Sequence, residues 1–461
     1  MTKLILITIF IIIMLVCNSA EAVHWPLRIS GFGKYLEDQD GIPFPIIGDT
    51  AWSIMVEPNQ ANVIDYLNNR QNKGVTAIIA NAIEHYYCDN PPANYYGQVP
   101  FSNGMRDWSL TNNNYWNQVD FVLNAAKDRG MVVFLFPAYL GYNGNQEGWH
   151  NEILAQKTSV MNNYGKFLGK RYKDQGNIVW VSGGDMNPAA HTGLRARVNG
   201  IVSGIKTYDT NHLHTAHSGP RRSAMMDFKR ALLNLNTAYE KDCRTFVSKI
   251  KIEYERPSSL PLTYIEPQYE GNDLYNGWTP LCLQSQSFAA YLGGCLVGHF
   301  YGNHDVLTFT ESWVSQMNTD STFDYANIGK LVKSRAWWRL IPDYNNKVVT
   351  SDKGTGVNYK STARTTDGET IMVWNPTTSH VTVDMTKISG PDAKCWWWNP
   401  DNDFSSLIGT FNTTGTRSFT PPGARLVLVL DNAASSLAAP GTTVYSIDKI
   451  PPPTDFRIIS P

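Results

Sequence analysis

The sequence lacks an excess of charge of either sign. Lys and Arg total 39, Asp and Glu total 40, and the formal net charge is −1. Such a balance gives no broad attraction to nucleic acid or to acidic membranes. Cysteine is scarce, with six in 461 residues and no C-x-x-C pair. A dense disulfide framework and a four-cysteine zinc site are both disfavoured. H-E-x-x-H, a P-loop and G-x-S-x-G are absent, so zincin proteases, P-loop NTPases and serine hydrolases lose their usual signatures. No stretch beyond the N-terminus is long and apolar enough to span a bilayer.

The N-terminal run itself is short. Leu4–Val16 is apolar apart from Thr8, follows Lys3 and precedes Ala20-Glu21-Ala22. That order of basic, apolar and small-x-small segments predicts a secretory signal over residues 1–22, with the mature chain starting near Val23. The product is then secreted or periplasmic and free of the membrane once cleaved. Cys17 leaves with the signal. Cys88, Cys243, Cys282, Cys295 and Cys395 remain, and an oxidising compartment allows one or two bridges that the sequence does not pair.

Aromatic residues, in contrast, are plentiful: 12% of the chain, with 14 Trp and 23 Tyr. Ring faces that pack on ligands are one use for them. Hydrophobic residues at 42% and charged residues at 17% exclude global disorder. The length suits one large domain and a smaller one. Within a first domain over residues 23–345, β-like runs alternate with helix-like runs from about residue 44. The predicted strands are Phe44–Gly48, Val75–Ala80, Val132–Pro137, Ile178–Ser182, Leu213–Ala216, Leu232–Asn236, Leu262–Ile265 and Leu296–Tyr301. Amphipathic segments such as Asn59–Lys73 and Tyr115–Arg129 lie between them and stop at Gly74 and Gly130. Eight alternations over some three hundred residues predict an α/β fold of the (β/α)8 TIM-barrel type. After Pro342 helical periodicity ends. Short runs at Thr370–Trp374, Val381–Met385, Ala393–Trp398 and Ala424–Leu430, separated by turn residues, predict a small antiparallel β-sandwich over 346–432. Residues 433–461, with Pro451-Pro452-Pro453, read as a linker or tail.

A barrel places its chemistry after the C-terminal ends of its strands. Asp185 follows the fourth strand and Glu266 the seventh, 81 residues apart and across the barrel mouth. Two facing carboxylates suit glycosidic cleavage: one protonates the leaving oxygen, and the other attacks the anomeric carbon or activates water. Gly183-Gly184 suggests an unobstructed approach to Asp185. Each residue also has a plainer use. Asp185 could cap a helix, Glu266 could serve a buried ion pair, and Glu270 competes with Glu266 for the second catalytic role. Asp49 either braces the first loop or binds substrate, Trp52 is core or substrate-binding, and Tyr139 packs or stacks on a sugar. Asn187, His217 and Tyr269 stand at strand ends as further substrate-binding candidates. In Trp396-Trp397-Trp398, strand alternation points the outer two to one face, most simply against the barrel.

Four motifs in order resemble the apiosidase-like glycoside hydrolases, glycoside hydrolase family 140 and relatives: Gly48-Asp49-Thr50-Ala51-Trp52, Tyr66-Leu67-x-x-Arg70-x-x-x-Gly74, Gly183-Gly184-Asp185-x-x-Pro188 and Glu266-Pro267-x-Tyr269-Glu270-Gly271. Trp396–Pro400 and Phe419–Gly423 resemble the collagen-binding-type module that often follows that barrel. The resemblance covers about residues 26–432. It implies a catalytic barrel with a β-sandwich, hydrolysis of apiosyl linkages in plant cell-wall polysaccharide, and an Asp–Glu pair that maps to Asp185 and Glu266, with Glu270 in substrate binding. The expected partner is an oligo- or polysaccharide, and neither a cofactor nor a metal is required. The competing expectation is a non-catalytic glycan-binding or adhesion protein on the same scaffold.

Overall fold

A computed structural model of the chain describes residues 22–445, apart from 106, 275, 276 and 443. The predicted signal segment and the Pro451–Pro453 tract lie outside the described residues. Eight parallel strands form the first unit: β1 (Ile46–Thr50), β2 (Ala77–Asn81), β3 (Val132–Phe136), β4 (Ile178–Gly183), β5 (Leu213–His217), β6 (Asn236–Tyr239), β7 (Leu262–Glu266) and β8 (Gly298–Tyr301). Their ladder order is β5-β4-β3-β2-β1-β8-β7-β6. The seam between β5 and β6 is spanned by hydroxyls. Thr215 donates to the Leu235 carbonyl at 3.0 Å and Thr237 to the Ala216 carbonyl at 2.8 Å. The result is a nearly closed TIM-type barrel, as the alternation predicts.

Strands β1 to β8 are buried along their whole length, which is why they read as continuous apolar runs instead of alternating ones. Phe134, Phe136, Val179, Val181, Ile265 and Phe300 fill the barrel. The outer helices include α1 (Gln60–Asn72) and α2 (Asn113–Lys127). Asn59 caps α1 by accepting from the Asn62 N–H at 2.9 Å. Gly74 and Gly130 follow the two helices with φ of +73° and +69°, the left-handed turn that glycine makes without strain.

The sixth repeat departs from expectation. Leu232 closes a short 3-10 turn and the strand begins only at Asn236, where Leu232–Asn236 is predicted. The following helix, α3, spans Phe246–Tyr254. The intervening turn carries Lys241 and Cys243. Cys243 is bridged to Cys282 in α4 (Pro280–Leu292), and Cys88, Cys295 and Cys395 are free thiols.

The second unit is antiparallel. Six strands, β9 (Leu340–Pro342), β10 (Thr362–Thr365), β11 (Thr370–Asn375), β13 (Asp392–Asn399), β14 (Phe404–Asn412) and β16 (Leu426–Asn432), form one sheet ordered β9-β10-β11-β16-β13-β14. A two-stranded sheet of β12 (Val381–Asp384) and β15 (Thr416–Phe419) packs on one face of it through Val381, Val383, Phe419, Trp397 and Leu428. The opposite face turns to the barrel. There Trp396 and Trp398 join Phe288, Tyr325 and Leu331, and Trp374 stacks on Phe288 with centroids 4.4 Å apart. The alternation expected of the three tryptophans therefore holds. A buried bidentate pair, Arg335–Asp431, ties the units further. Among the described residues no helix is long and apolar enough to cross a membrane.

Candidate active site

Chain direction brings the strand ends to one rim, and that rim holds a cavity of about 550 Å³ lined by Trp52, Tyr139, Asp185, Lys241, Glu266 and Tyr269 among others. The volume suits one or a few sugar rings. Asp185 and Glu266 face each other across it. A carboxylate oxygen of each and a ring nitrogen of His217 lie within 4.8 Å of one another.

Asp185 sits two residues beyond β4 at φ +32°, a left-handed conformation that costs a non-glycine residue energy and is often retained at functional sites. Its backbone N–H donates to His217 Nδ1 at 3.2 Å, and Tyr139 donates its hydroxyl to Asp185 Oδ2 at 3.1 Å. Oδ1 is buried without a hydrogen-bond partner. The two preceding glycines do not clear a path for substrate, as the sequence suggests. A Cβ at Gly183 would lie 2.3 Å from the His217 carbonyl oxygen, and one at Gly184 2.3 Å from the Tyr139 ring. They let the β4 loop lie close against its neighbours, which sets the position of Asp185.

Glu266 is the last residue of β7 and is held by three donors. His217 Nε2 lies 2.6 Å from Oε2, and Lys241 Nζ and the Tyr269 hydroxyl each lie 2.8 Å from Oε1. Because His217 Nδ1 accepts from the Asp185 backbone, the Nε2 proton points at Glu266. Trp52 donates its indole N–H to the Tyr269 oxygen at 3.3 Å, and so reaches Glu266 through one intermediary. Burial and the nearby carboxylates push the Tyr139 and Tyr269 phenols well above their ordinary range, so both remain donors.

The two carboxyls are driven apart electrostatically. Burial, followed by the Glu266 charge, raises Asp185 to about 6. Burial opposes ionisation of Glu266 too, but the Lys241 charge and the His217 hydrogen bond outweigh it and lower the group to about 2. Between these values one carboxyl is protonated and the other ionised, the division that acid and nucleophile roles need. Asp185, His217 and Glu266 could in principle share a metal ion. Lys241 already supplies the positive charge at Glu266, and a cation would have to enter beside it.

The other candidates divide. Trp52, Tyr139 and Tyr269 line the cavity. His217 is fully buried behind the pair and touches both acids, so it positions them without facing solvent. Asp49 lies outside the cavity lining, in a buried ion pair with Arg70, and accepts from the Tyr66 hydroxyl at 2.7 Å. The Tyr66 and Arg70 motif thus braces the β1 end. Asn187 caps a 3-10 turn by accepting from the Ala189 N–H at 2.9 Å. Glu270 accepts from Tyr301, from Asn303 at 2.9 Å and from Thr319 at 2.7 Å, tying the β7 loop to the β8 loop outside the cavity lining. Glu270→Gln is expected to keep turnover within about threefold of wild type while costing about 1–3 kcal/mol of stability, read by paired activity and thermal-unfolding assays.

Lys241 went unmarked in the sequence because the sixth strand is displaced there. With β6 ending at Tyr239, Lys241 falls at a strand end and becomes a visible candidate. Lys241→Met removes the charge that keeps Glu266 ionised. The acidic limb of the kcat/KM–pH profile should then move upward, toward the ordinary glutamate value of about 4.3. An unmoved limb would show that Lys241 does not set this ionisation.

An eight-stranded barrel with paired carboxylates on β4 and β7 and an appended antiparallel sheet has the plan of a glycoside hydrolase. Solved structures share the fold. One described as a glycoside hydrolase superposes with a TM-score of 0.79 at 21% identity, over 90% of this chain and 98% of its own. A glycoside hydrolase family 5 protein from Bacteroides vulgatus superposes with a TM-score of 0.80 at 20% identity, over 91% and 96%. No curated protein matches the sequence. The chain belongs to the apiosidase-like family, whose catalytic domain matches residues 30–339. It is a glycoside hydrolase. Residues 341–431 match the domain described as "Putative collagen-binding domain of a collagenase".

Proposed function

We propose that the protein is a secreted glycosidase that cleaves plant cell-wall-type polysaccharide, at apiosyl linkages, by double displacement with retention. The observation that carries the mechanism is the gap between the acids. Retaining enzymes hold their carboxyls ~5–5.5 Å apart and inverting ones ~6.5–9.5 Å. One oxygen of each carboxyl lies within 4.8 Å of the other, a close approach that supports the retaining reading. Glu266 attacks the anomeric carbon while Asp185 gives its proton to the departing oxygen. Asp185, now a carboxylate, takes a proton from water as the water oxygen displaces Glu266 from the anomeric carbon. The second proton transfer restores Asp185 for the next cycle.

The substrate class rests on family membership. It is tested by reducing-sugar release from a panel of wall polysaccharides that includes rhamnogalacturonan II. Release of apiose-terminated product supports the reading, and release confined to polymers without apiose sinks it. Secretion rests on Lys3, Leu4–Val16 and Ala20-Glu21-Ala22. The protein is expected in the exported fraction with Val23 at its N-terminus by sequencing, and confinement to the cytoplasm with Met1 intact would count against it.

A further inference from the structure

Helix α4 is buried from Cys282 to Leu292, yet its middle carries Gln284, Ser285, Gln286 and Ser287. Buried polar side chains need partners, and those of Gln286 belong to the catalytic rim. Its amide oxygen accepts from the Gln268 N–H at 3.1 Å, and its nitrogen donates to the Glu240 carbonyl at 3.2 Å and the Lys241 carbonyl at 3.4 Å. Gln268 stands two residues after Glu266. One side chain thus grips both segments that carry the Lys241–Glu266 ion pair. Cys282 lies one turn earlier on the same face of the helix, and its bridge to Cys243 ties down the residue two beyond Lys241.

The sheet stops short of Lys241. Pairing of β6 with β7 shifts register between Ala238 and Tyr239 and ends at Tyr239–Glu266. The main-chain bond beyond it runs from the Glu240 N–H to the Glu266 carbonyl at 3.3 Å. A lysine ammonium rides on a flexible four-carbon stem, so it is aimed only as well as its main chain is fixed. Other residues of α4 supply a firm base for that fixing. Ser285 accepts from the Trp374 indole at 3.0 Å and donates to the Val357 carbonyl at 2.8 Å, Gln284 donates to Asp401 at 2.9 Å, and Phe288 stacks on Trp374. The helix is therefore seated on the antiparallel unit and reaches the catalytic rim from it.

We propose that α4 is the clamp that positions the catalytic pair: Gln286 and the Cys243–Cys282 bridge hold the Lys241 turn against Glu266. The proposal rests on the reading of Glu266 as the nucleophile and adds what fixes its counter-charge. Gln286 is fully buried outside the cavity lining, so it is a positioning residue and not a catalytic one. The groups that face Glu266 are His217 from β5, Tyr239 and Lys241 from β6 and its turn, Tyr269 from the β7 loop, and Asp185 with Tyr139 across the cavity. Of these, Lys241 is the one that Gln286 holds through its own carbonyl.

The test is amine labelling of the folded full chain with an acetyl N-hydroxysuccinimide ester, read at Lys241 by mass spectrometry. It is paired with kcat/KM–pH profiles on the wall polysaccharide from which the wild type releases sugar. Lys241 is 8% exposed and should label slowly in the wild type. Gln286→Leu, and separately Cys243→Ala with Cys282→Ala, should raise that rate about three- to tenfold, the scale of one lost hydrogen bond. Both should move the acidic limb upward, as expected of Lys241→Met, and should cost no further kcat/KM in the Lys241→Met background. A residue that only stabilises the fold would leave the limb in place. Because Gln286 is fully buried, its variant can fail to fold, and the cysteine pair and phosphine reduction of the wild type then carry the test. Unchanged Lys241 labelling with an unmoved limb, or an undiminished further loss in the Lys241→Met background, would overturn the proposal. The two readings fail separately. Faster Lys241 labelling in variants of a chain that releases no sugar from any wall polysaccharide removes the hydrolytic reading and keeps the clamp. Sugar release with labelling indifferent to Gln286 and the bridge removes the clamp.

Discussion

Glu266→Gln should lower kcat by about 10⁴-fold or more, because it removes the group that forms the new bond and not merely a contact. The amide is nearly the same size and the fold should survive, although its single oxygen keeps only one of the His217 and Tyr269 donors, which bond to different oxygens of Glu266. Lys241 would lose its counter-charge, so a modest drop in melting temperature is expected as well. A shorter side chain separates the catalytic role from a structural one. In Glu266→Ala, added azide can occupy the vacated space and attack the anomeric carbon directly. The product is then a glycosyl azide of inverted configuration, formed at a rate that rises with azide concentration. Unrescued loss accompanied by unfolding would mean that Glu266 serves only the buried cluster of His217, Lys241 and Tyr269.

Asp185→Asn should cost about 10²–10⁴-fold on a natural glycoside, whose departing alkoxide needs a proton. An aryl glycoside with an acidic phenol leaves unaided, so its first step should suffer far less. The pH profile supplies the matching sign. Asp185 must be protonated to act, and burial holds that proton up to about pH 6. Glu266 must be ionised, and the Lys241 charge keeps it so down to about pH 2. Wild-type kcat/KM should therefore fall tenfold per pH unit above about 6, and the variant should lose that limb. A basic limb that persists in Asp185→Asn belongs to another group and would remove Asp185 from the acid role.

The carboxylate pair was legible before the fold because two simple regularities coincide. Parallel barrel strands are buried on both faces and read as apolar runs, and the first polar residues after such runs fall on the catalytic rim. Asp185, Glu266, Trp52, Tyr139 and Tyr269 follow that rule and line the cavity. Asp49 and Glu270 follow it too, yet they pair with Arg70 and with the Tyr301–Asn303–Thr319 group. A strand-end carboxylate alone does not reveal whether its partner lies in the chain or in the substrate. Lys241 was hidden for a different reason. Leu232 and Leu233 extend the apolar run upstream of β6, so hydrophobicity places the strand too early, while the structure uses them in a turn. Strands β10 and β15 were missed because each carries one apolar residue in four, and β14 because its apolar residues, Phe404, Leu407, Ile408 and Phe411, do not alternate; β14 and β15 lie largely in solvent. Their pairing comes from the ladder with neighbours and not from local propensity.

The most direct measurement is to find where a trapped intermediate sits. The wild-type chain is incubated with a slow 2-deoxy-2-fluoro glycoside of the sugar it releases, then digested and mapped by mass spectrometry. A fluoroglycosyl adduct on Glu266, absent from Glu266→Gln, is the expected result and fixes the nucleophile of a retaining hydrolase. An adduct on Glu270, or no adduct together with product of inverted configuration, would contradict the assignment of Asp185 and Glu266 as acid and nucleophile.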